Sequence, residues 1–224
     1  MASEVDICNL ALAHLGDVAQ VTSINPPDGS MQAAQCARFY PLARDSLTEM
    51  YSWGFATKRV PLALSTVTVS SWQYVYILPA DVISPQVVLP ADATDDWSAP
   101  VVMPGTWPAF GIQPGIGVYT PQPYRLGVDA TTRQRLLYTN VQDAVLIYVG
   151  VIEDPTEFSP LFTDTLALHL ASMLAGPIVR GAEGRNLSQS LRQTMLEVYA
   201  RAAESDANQQ RTDIKQHVAW ISAR

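Results

Sequence analysis

Charged residues are scarce in this chain of 224 residues, at 16 % against roughly 25 % in an average domain. Hydrophobic residues reach 48 %. That balance excludes an intrinsically disordered protein and points to a surface partly covered by something other than water. Cysteine is nearly absent: Cys8 and Cys36 cannot build a disulfide framework. Both stand in apolar helical patterns and read as buried free thiols. Only three histidines occur. His14 and His169 fall in strongly apolar helices and read as satisfied core or interface residues; His217 is assigned no chemistry. Basic charge is also short. The net charge is −7, and no Lys or Arg lies between Arg59 and Arg125. The chain as a whole therefore has no electrostatic grip on nucleic acid, which depends on Lys and Arg. No stretch approaches the ~20 apolar residues of a membrane span. Glu4 and Asp6 stand where a secretory signal would be basic, so an intracellular product, or one released by lysis, is expected.

Motifs of catalysis are missing too. There is no phosphate-binding Lys motif, no His-Glu-x-x-His pair and no Gly-x-Ser-x-Gly elbow. Gly115-Ile116-Gly117 opens like a dinucleotide fingerprint, but Thr120 holds the third glycine position and prolines flank it, so it reads as a turn. Asp92, Asp95 and Asp96 match no cation-binding loop. Glu153, Asp154 and Glu157 surround Pro155 at a strand-to-helix junction, where Glu157 favours the following helix N-terminus. No cofactor or metal is expected, and no catalytic residue is assigned.

The length fits one large domain or two small ones and suffices to bury a core without disulfide or metal. Nine of the 16 prolines lie between Pro79 and Pro123. Proline breaks helices, so this middle stretch is not helical. The flanks are rich in Ala and Leu at helical spacing. Helix one is predicted from Ser3 as N-cap to Leu15, with Gly16 as the stop and Val5, Cys8, Leu12 and Leu15 on one face. Its other sides are nearly as apolar, so it is expected to be buried, by its own fold or by a neighbouring subunit. Helix two follows the turn Asn25-Pro26-Pro27-Asp28-Gly29, capped by Ser30. Its stripe is Ala33, Cys36, Tyr40, Ala43, Leu47 and Met50, kinked but not broken at Pro41. Helix three starts at Ser159-Pro160 and ends near Ala175, before Gly176-Pro177. It is apolar on every side and reads as the central core helix. Helix four runs from about Ser188 to Ser205 with Leu187, Leu191, Thr194, Met195, Val198 and Ala202 as its stripe. Strands are predicted at 73–78, 85–89, 117–120, 133–138 and 144–152, and a long loop at 92–115.

The fold class expected is α+β: an antiparallel helical bundle (1–64 and 155–206), an inserted small β-rich domain (65–154) and an extended C-terminal tail (207–224). Exposed aromatics in loops, edges and tail are candidate interface anchors, with Trp97, Trp107, Tyr119 and Trp220 foremost. Trp72 and Tyr124 join them; the alternative for all of these aromatics is that they plug the core of the β-domain.

One ordered set of motifs carries a resemblance. It runs Ile7-Cys8-Asn9-Leu10-Ala11-Leu12, Cys36-x-x-Phe39-Tyr40-x-x-x-Arg44-Asp45, Trp53-Gly54-Phe55-Ala56-Thr57-Lys58-Arg59, Tyr74-x-Tyr76-x-Leu78-Pro79-Ala80-Asp81, Glu153-Asp154-Pro155 and Leu166-Ala167-x-x-Leu170-Ala171. In this order, over residues 3–206, the chain resembles the tail tubular protein A family, the head-to-tail adaptors of short-tailed bacteriophages. Arg44 and Asp45 lie about 100° apart on a helix and are expected to face separate partners. Trp53 and Phe55 are expected to close the junction between the helical and β parts, as structural rather than catalytic residues.

The resemblance implies a virion protein at the head-tail junction, present in the host cytoplasm during assembly. It implies a homo-oligomeric ring of about twelve subunits built by head-to-tail contacts. The ring joins the portal protein to the tail nozzle protein, with a tail fibre or spike as a further partner, and double-stranded DNA passes its lumen without specific binding. The tail residues Arg211, Lys215, Val218, Trp220, Ile221 and Arg224 become candidates for the portal contact. Trp97, Trp107 and Tyr119 become candidates for the nozzle or fibre contact. Two alternatives stay open: a virion-associated cell-wall hydrolase using Glu153 and Asp154, and another neck or completion protein.

Overall fold

A computed structural model describes residues 2–18, 20–91 and 122–209. The fold is α+β, with four helices and two antiparallel sheets. It divides into two compact units. One comprises Met1–Thr57 and Val149–Gln209; the other contains Lys58–Tyr148. Each has its own hydrophobic core. The predicted strand at 117–120 and the loop at 92–115 lie outside the described residues.

The first unit is helical. Helix α1 (Glu4–His14) starts with a capping box: the Asp6 N–H donates to Ser3 Oγ at 3.1 Å and the Ser3 N–H to Asp6 Oδ2 at 2.9 Å. Gly16, at φ +74°, supplies the left-handed turn that ends it. Its buried face is Ile7, Cys8, Ala11 and Leu12, whereas Leu10, Ala13 and His14 are exposed. Within this chain α1 is thus buried on one face only, and the core half of the reading of His14 is corrected: it stands exposed in the last turn. Helix α2 (Met31–Glu49) is capped by Ser30 and passes through Pro41 without a break. Ala33, Cys36, Tyr40, Ala43 and Leu47 are buried as the spacing predicts, while Met50 caps the end and is exposed.

Helix α3 (Pro160–Val179) begins at the predicted Ser159 cap but runs past Pro177, and helix α4 (Gly181–Ala207) begins seven residues before the predicted start. Proline in a final turn removes only one ladder bond, so α3 tolerates it. The reversal is made at Arg180 and Gly181, both at positive φ (60° and 67°). The two helices then pack closely. Ser188 Oγ donates to the Ser172 carbonyl at 2.7 Å, and a Cβ on Gly184 would stand 2.8 Å from the Ala175 carbonyl oxygen. The inward stripe of α4 is Gly184, Leu191, Met195, Ala202 and Asp206; Thr194, placed on it from sequence, is exposed. Helix α3 is also long and apolar enough to cross a membrane by length and composition, with 61 % of its apolar window buried. The expectation that no such stretch exists is corrected: Asp164 and His169 interrupt the run in sequence, yet its mean hydropathy stays at 1.3.

The second unit is built of strands. Its elements are β1 (Thr57–Pro61), β2 (Ala63–Leu64), β3 (Tyr74–Ile77), β4 (Val82–Leu89), β5 (Tyr124–Val128), β6 (Arg135–Thr139) and β7 (Val145–Gly150). They form sheets of order β1-β7-β4 and β2-β3-β6-β5. In the second sheet, Tyr76 and Leu126 both pair with Leu137. Strands β1, β2 and β5 were not legible from sequence. Gly127 in β5 is covered by the Tyr138 ring, which fills the space a side chain would take. Polar ties reinforce this core. Tyr76 Oη donates to the Val141 carbonyl at 2.9 Å, and Asp81 accepts from Lys58 Nζ at 2.8 Å and from Tyr148 Oη at 3.1 Å. Burial and the Asp81 carboxylate together push the Tyr148 hydroxyl up to about 12.

Replacing a helix-interior glycine by alanine normally favours a helix by about 1 kcal/mol. At Gly184 the backbone contact reverses the sign: Gly184→Ala is expected to destabilise by about 1–3 kcal/mol. Gly176→Ala, in α3 with open space around it, is expected to stabilise by about 0.4–1 kcal/mol. Urea midpoints of the two variants check the contrast.

Candidate functional site

The stretch that carries the resemblance folds inward. Trp53 is fully buried, and its Nε1–H donates to the Leu47 carbonyl at 3.1 Å. Its ring meets Tyr51 and Phe162 edge-on, each at 5.0 Å, and stacks with Phe55 at 6.0 Å. Phe55 in turn packs on Phe162 at 4.9 Å and Phe158 at 5.6 Å. Such pairs add about 0.5–1.5 kcal/mol each beyond the area they bury. These ring partners all belong to the helical unit, so Trp53 and Phe55 pack in its core. The start of α3 brings Phe162, and the residue just ahead of its cap brings Phe158, to the stretch after α2. Asp206, 5 % exposed near the end of α4, accepts the Gly54 N–H at 2.9 Å. Sequence reasoning missed it. Its only signal was position: it continues the buried stripe four residues beyond Ala202.

Arg44 and Asp45 do pair with each other, Nε to Oδ1 at 2.8 Å, contrary to the expectation of separate partners. The 100° between adjacent helix positions separates the Cβ vectors, but the long arginine stem bends back far enough for Nε to reach the neighbouring carboxylate. The Arg44 side chain is 10 % exposed and that of Asp45 43 %.

Cys8 and Cys36 are buried and free. The Cys36 sulfur beside it, together with burial, holds the Cys8 thiol far above its ordinary range, so it is not a thiolate nucleophile. Tyr40 Oη is buried without a hydrogen-bond partner, and burial pushes its hydroxyl up.

A cleft of about 570 Å³ opens between α2, α3 and α4. Phe39, Leu42 and Met173 give it an apolar lining; Arg185 and Arg192 from α4 give it positive charge. His169 lines it while 9 % exposed. Ser46 Oγ donates to the Ala43 carbonyl at 3.1 Å and lies 3.1 Å from His169 Nε2. Which of the two donates follows the imidazole tautomer. Nδ1 is buried and has no partner among the described residues, so the reading of His169 as a satisfied core histidine holds for one nitrogen only. Burial, aided by Arg192, lowers its pKa. Among the described residues no carboxylate orients Nδ1, the third group that a nucleophile-and-base pair needs.

The acidic group at 153–157 is a turn. Asp154 Oδ1 accepts the Thr156 N–H at 2.9 Å, capping the 3-10 turn Pro155–Glu157, and this bond holds the Asp154 carboxyl below its ordinary range. A general acid for glycoside hydrolysis needs the opposite shift. Tyr124 is half-buried, donates to the Pro85 carbonyl at 3.1 Å and packs on the β core, so it is a plug; Trp72 is half-buried. Among the described residues no group of three His, Cys, Asp or Glu is placed to hold a metal ion. Arg211, Lys215, Val218, Trp220, Ile221 and Arg224, and likewise Trp97, Trp107 and Tyr119, lie outside the described residues, as do Asp92, Asp95 and Asp96.

Trp53→Ala is expected to cost about 3–5 kcal/mol, because it opens a cavity at the centre of the aromatic cluster. Glu153→Gln, on the exposed turn, is expected to change stability by no more than about 0.5 kcal/mol. Chemical denaturation followed by circular dichroism separates the two.

No protein-family model matches the chain, and no curated protein is detectably similar to it in sequence.

Proposed function

We propose that the chain is a non-enzymatic structural protein of a short-tailed bacteriophage virion, the adaptor at the head-tail junction. In this reading it forms a ring that joins the portal protein to the tail nozzle, with a fibre or spike attached in some arrangements, and double-stranded DNA passes through the lumen. The observation that carries the reading is the role of the shared motif. The Trp-Gly-Phe-Ala stretch binds inward to Leu47, Phe162 and Asp206, and Arg44 and Asp45 are engaged with each other. A motif of that kind serves a scaffold. The layout supports it as well: a helical unit interrupted by a β unit is the arrangement the resemblance implies. The negative net charge suits a lumen wall that must release DNA. Residues 207–224 would reach the portal through Arg211, Lys215, Val218, Trp220, Ile221 and Arg224; Trp97, Trp107 and Tyr119 would meet nozzle or fibre.

Light scattering on a size-exclusion column tests the reading. The full chain, mixed with its cognate portal ring, is expected to add in about twelve copies, and a truncation ending at Ala207 is expected not to add. A full chain that never associates with the portal would overturn the proposal.

A further inference from the structure

Two features of the helical unit are left without a role by the packing just described. The first is the cleft between α2, α3 and α4. Arg185 and Arg192 lie seven residues apart on α4, two turns along one face. Both are exposed, and neither makes an ion pair or hydrogen bond among the described residues. In a chain of net charge −7 this is a local concentration of positive charge. Leu42 beside it is 58 % exposed. The second feature is the turn ahead of α3. Glu153, Asp154 and Glu157 are exposed, and Leu161 next to them is 38 % exposed. It is the chemical complement of the cleft: negative charge beside one aliphatic side chain.

The same chain cannot join them. The turn precedes the first residue of α3 and the cleft lies at its far end. Leu161 stands eight to fifteen residues before the cleft's α3 lining, His169 to Gly176, which is about 12–22 Å along a rigid helix. Two unlike, complementary patches at opposite ends of one element produce head-to-tail association, which generates rings or filaments.

We propose that the cleft is the receiving half of a head-to-tail contact between copies of this chain, and that it takes the acidic segment 153–161 of a second copy. Arg185 and Arg192 face the carboxylates, and Leu161 of the incoming segment meets Leu42, Phe39 and Met173. The inference deepens the ring reading by naming its two faces and rests on that reading for its biological meaning.

Cross-linking through engineered cysteines in the concentrated full chain tests it. Cys8 and Cys36 are buried and stay silent. Thr156→Cys and Gln189→Cys place thiols on the exposed turn and on the exposed face of α4 at the cleft. With a short bis-maleimide, the double variant is expected to give a ladder beyond dimer. An equal mixture of the two single variants gives dimer only, and neither single variant cross-links alone. Adding Arg185→Glu and Arg192→Glu is expected to reduce ladder yield about tenfold through like-charge repulsion. Pairing that reversed cleft with a Glu153→Arg, Glu157→Arg turn restores it, which excludes misfolding as the cause. Self-dimers of one single variant, no product beyond dimer in the double variant, or indifference to charge reversal would overturn the assignment. Addition to the portal without a ladder removes these faces and leaves the adaptor reading; a ladder without portal addition does the reverse.

Discussion

Helix α3 is apolar on nearly every side, and the helical unit is arranged around the need to cover it. Eleven of its 20 residues are buried. A helix with no polar face is stable in water only when it is wrapped, and α1, α2 and α4 do the wrapping. Its inward hydroxyls are satisfied within the helix: Thr165 Oγ1 donates to the Leu161 carbonyl and Ser172 Oγ to the His169 carbonyl. Small residues set how near the neighbours come. Ala171, Ser172 and Ala175 on α3 face Gly184 and Ser188 on α4, so the hairpin closes at backbone contact. At the N-terminal end, where side chains are large, Phe158 and Phe162 meet Trp53 and Phe55. At the C-terminal end, where they are small, the packing leaves the cleft.

This gradient along one helix links fold to function. The bulky end consumes the motif residues in core packing, which is why they have nothing to offer a substrate. The small end leaves Arg185 and Arg192 exposed and without an ion pair among the described residues. In the proposed ring, a rigid interior and unlike outer faces would each have a use. The second unit keeps a separate core with its own polar ties, such as Asp81 with Lys58 and Tyr148.

Much of the fold was legible in the sequence because it depends on local rules. Ser3, Ser30 and Ser159 announce helix starts through side-chain oxygens that accept orphan N–H groups. The stripe of α2 keeps its phase through Pro41 because apolar spacing, not the single missing donor, decides the packing. The strands near 74–78, 85–89, 135–139 and 145–150 are aromatic or β-branched and bounded by turn residues. What escaped depends on partners distant in sequence or on side-chain reach. The start of α4 is set by Gly184 against Ala175, which no propensity records. Strands β2 and β5 are defined by neighbours rather than by their own residues. Asp206 looks like a surface acid until the Gly54 N–H, 152 residues away, gives it a reason to be buried. The Arg44–Asp45 pair follows from a flexible stem that helical-wheel angles ignore. The cleft, finally, joins residues of three helices, and none of them stands out alone.

The most direct measurement of the central claim is electron-microscopic imaging of the full chain mixed with its portal ring. The account predicts a second ring stacked coaxially on the portal, with one copy of this chain beside the next around the channel. Portal rings that remain bare, with this protein absent from every class average, would contradict it.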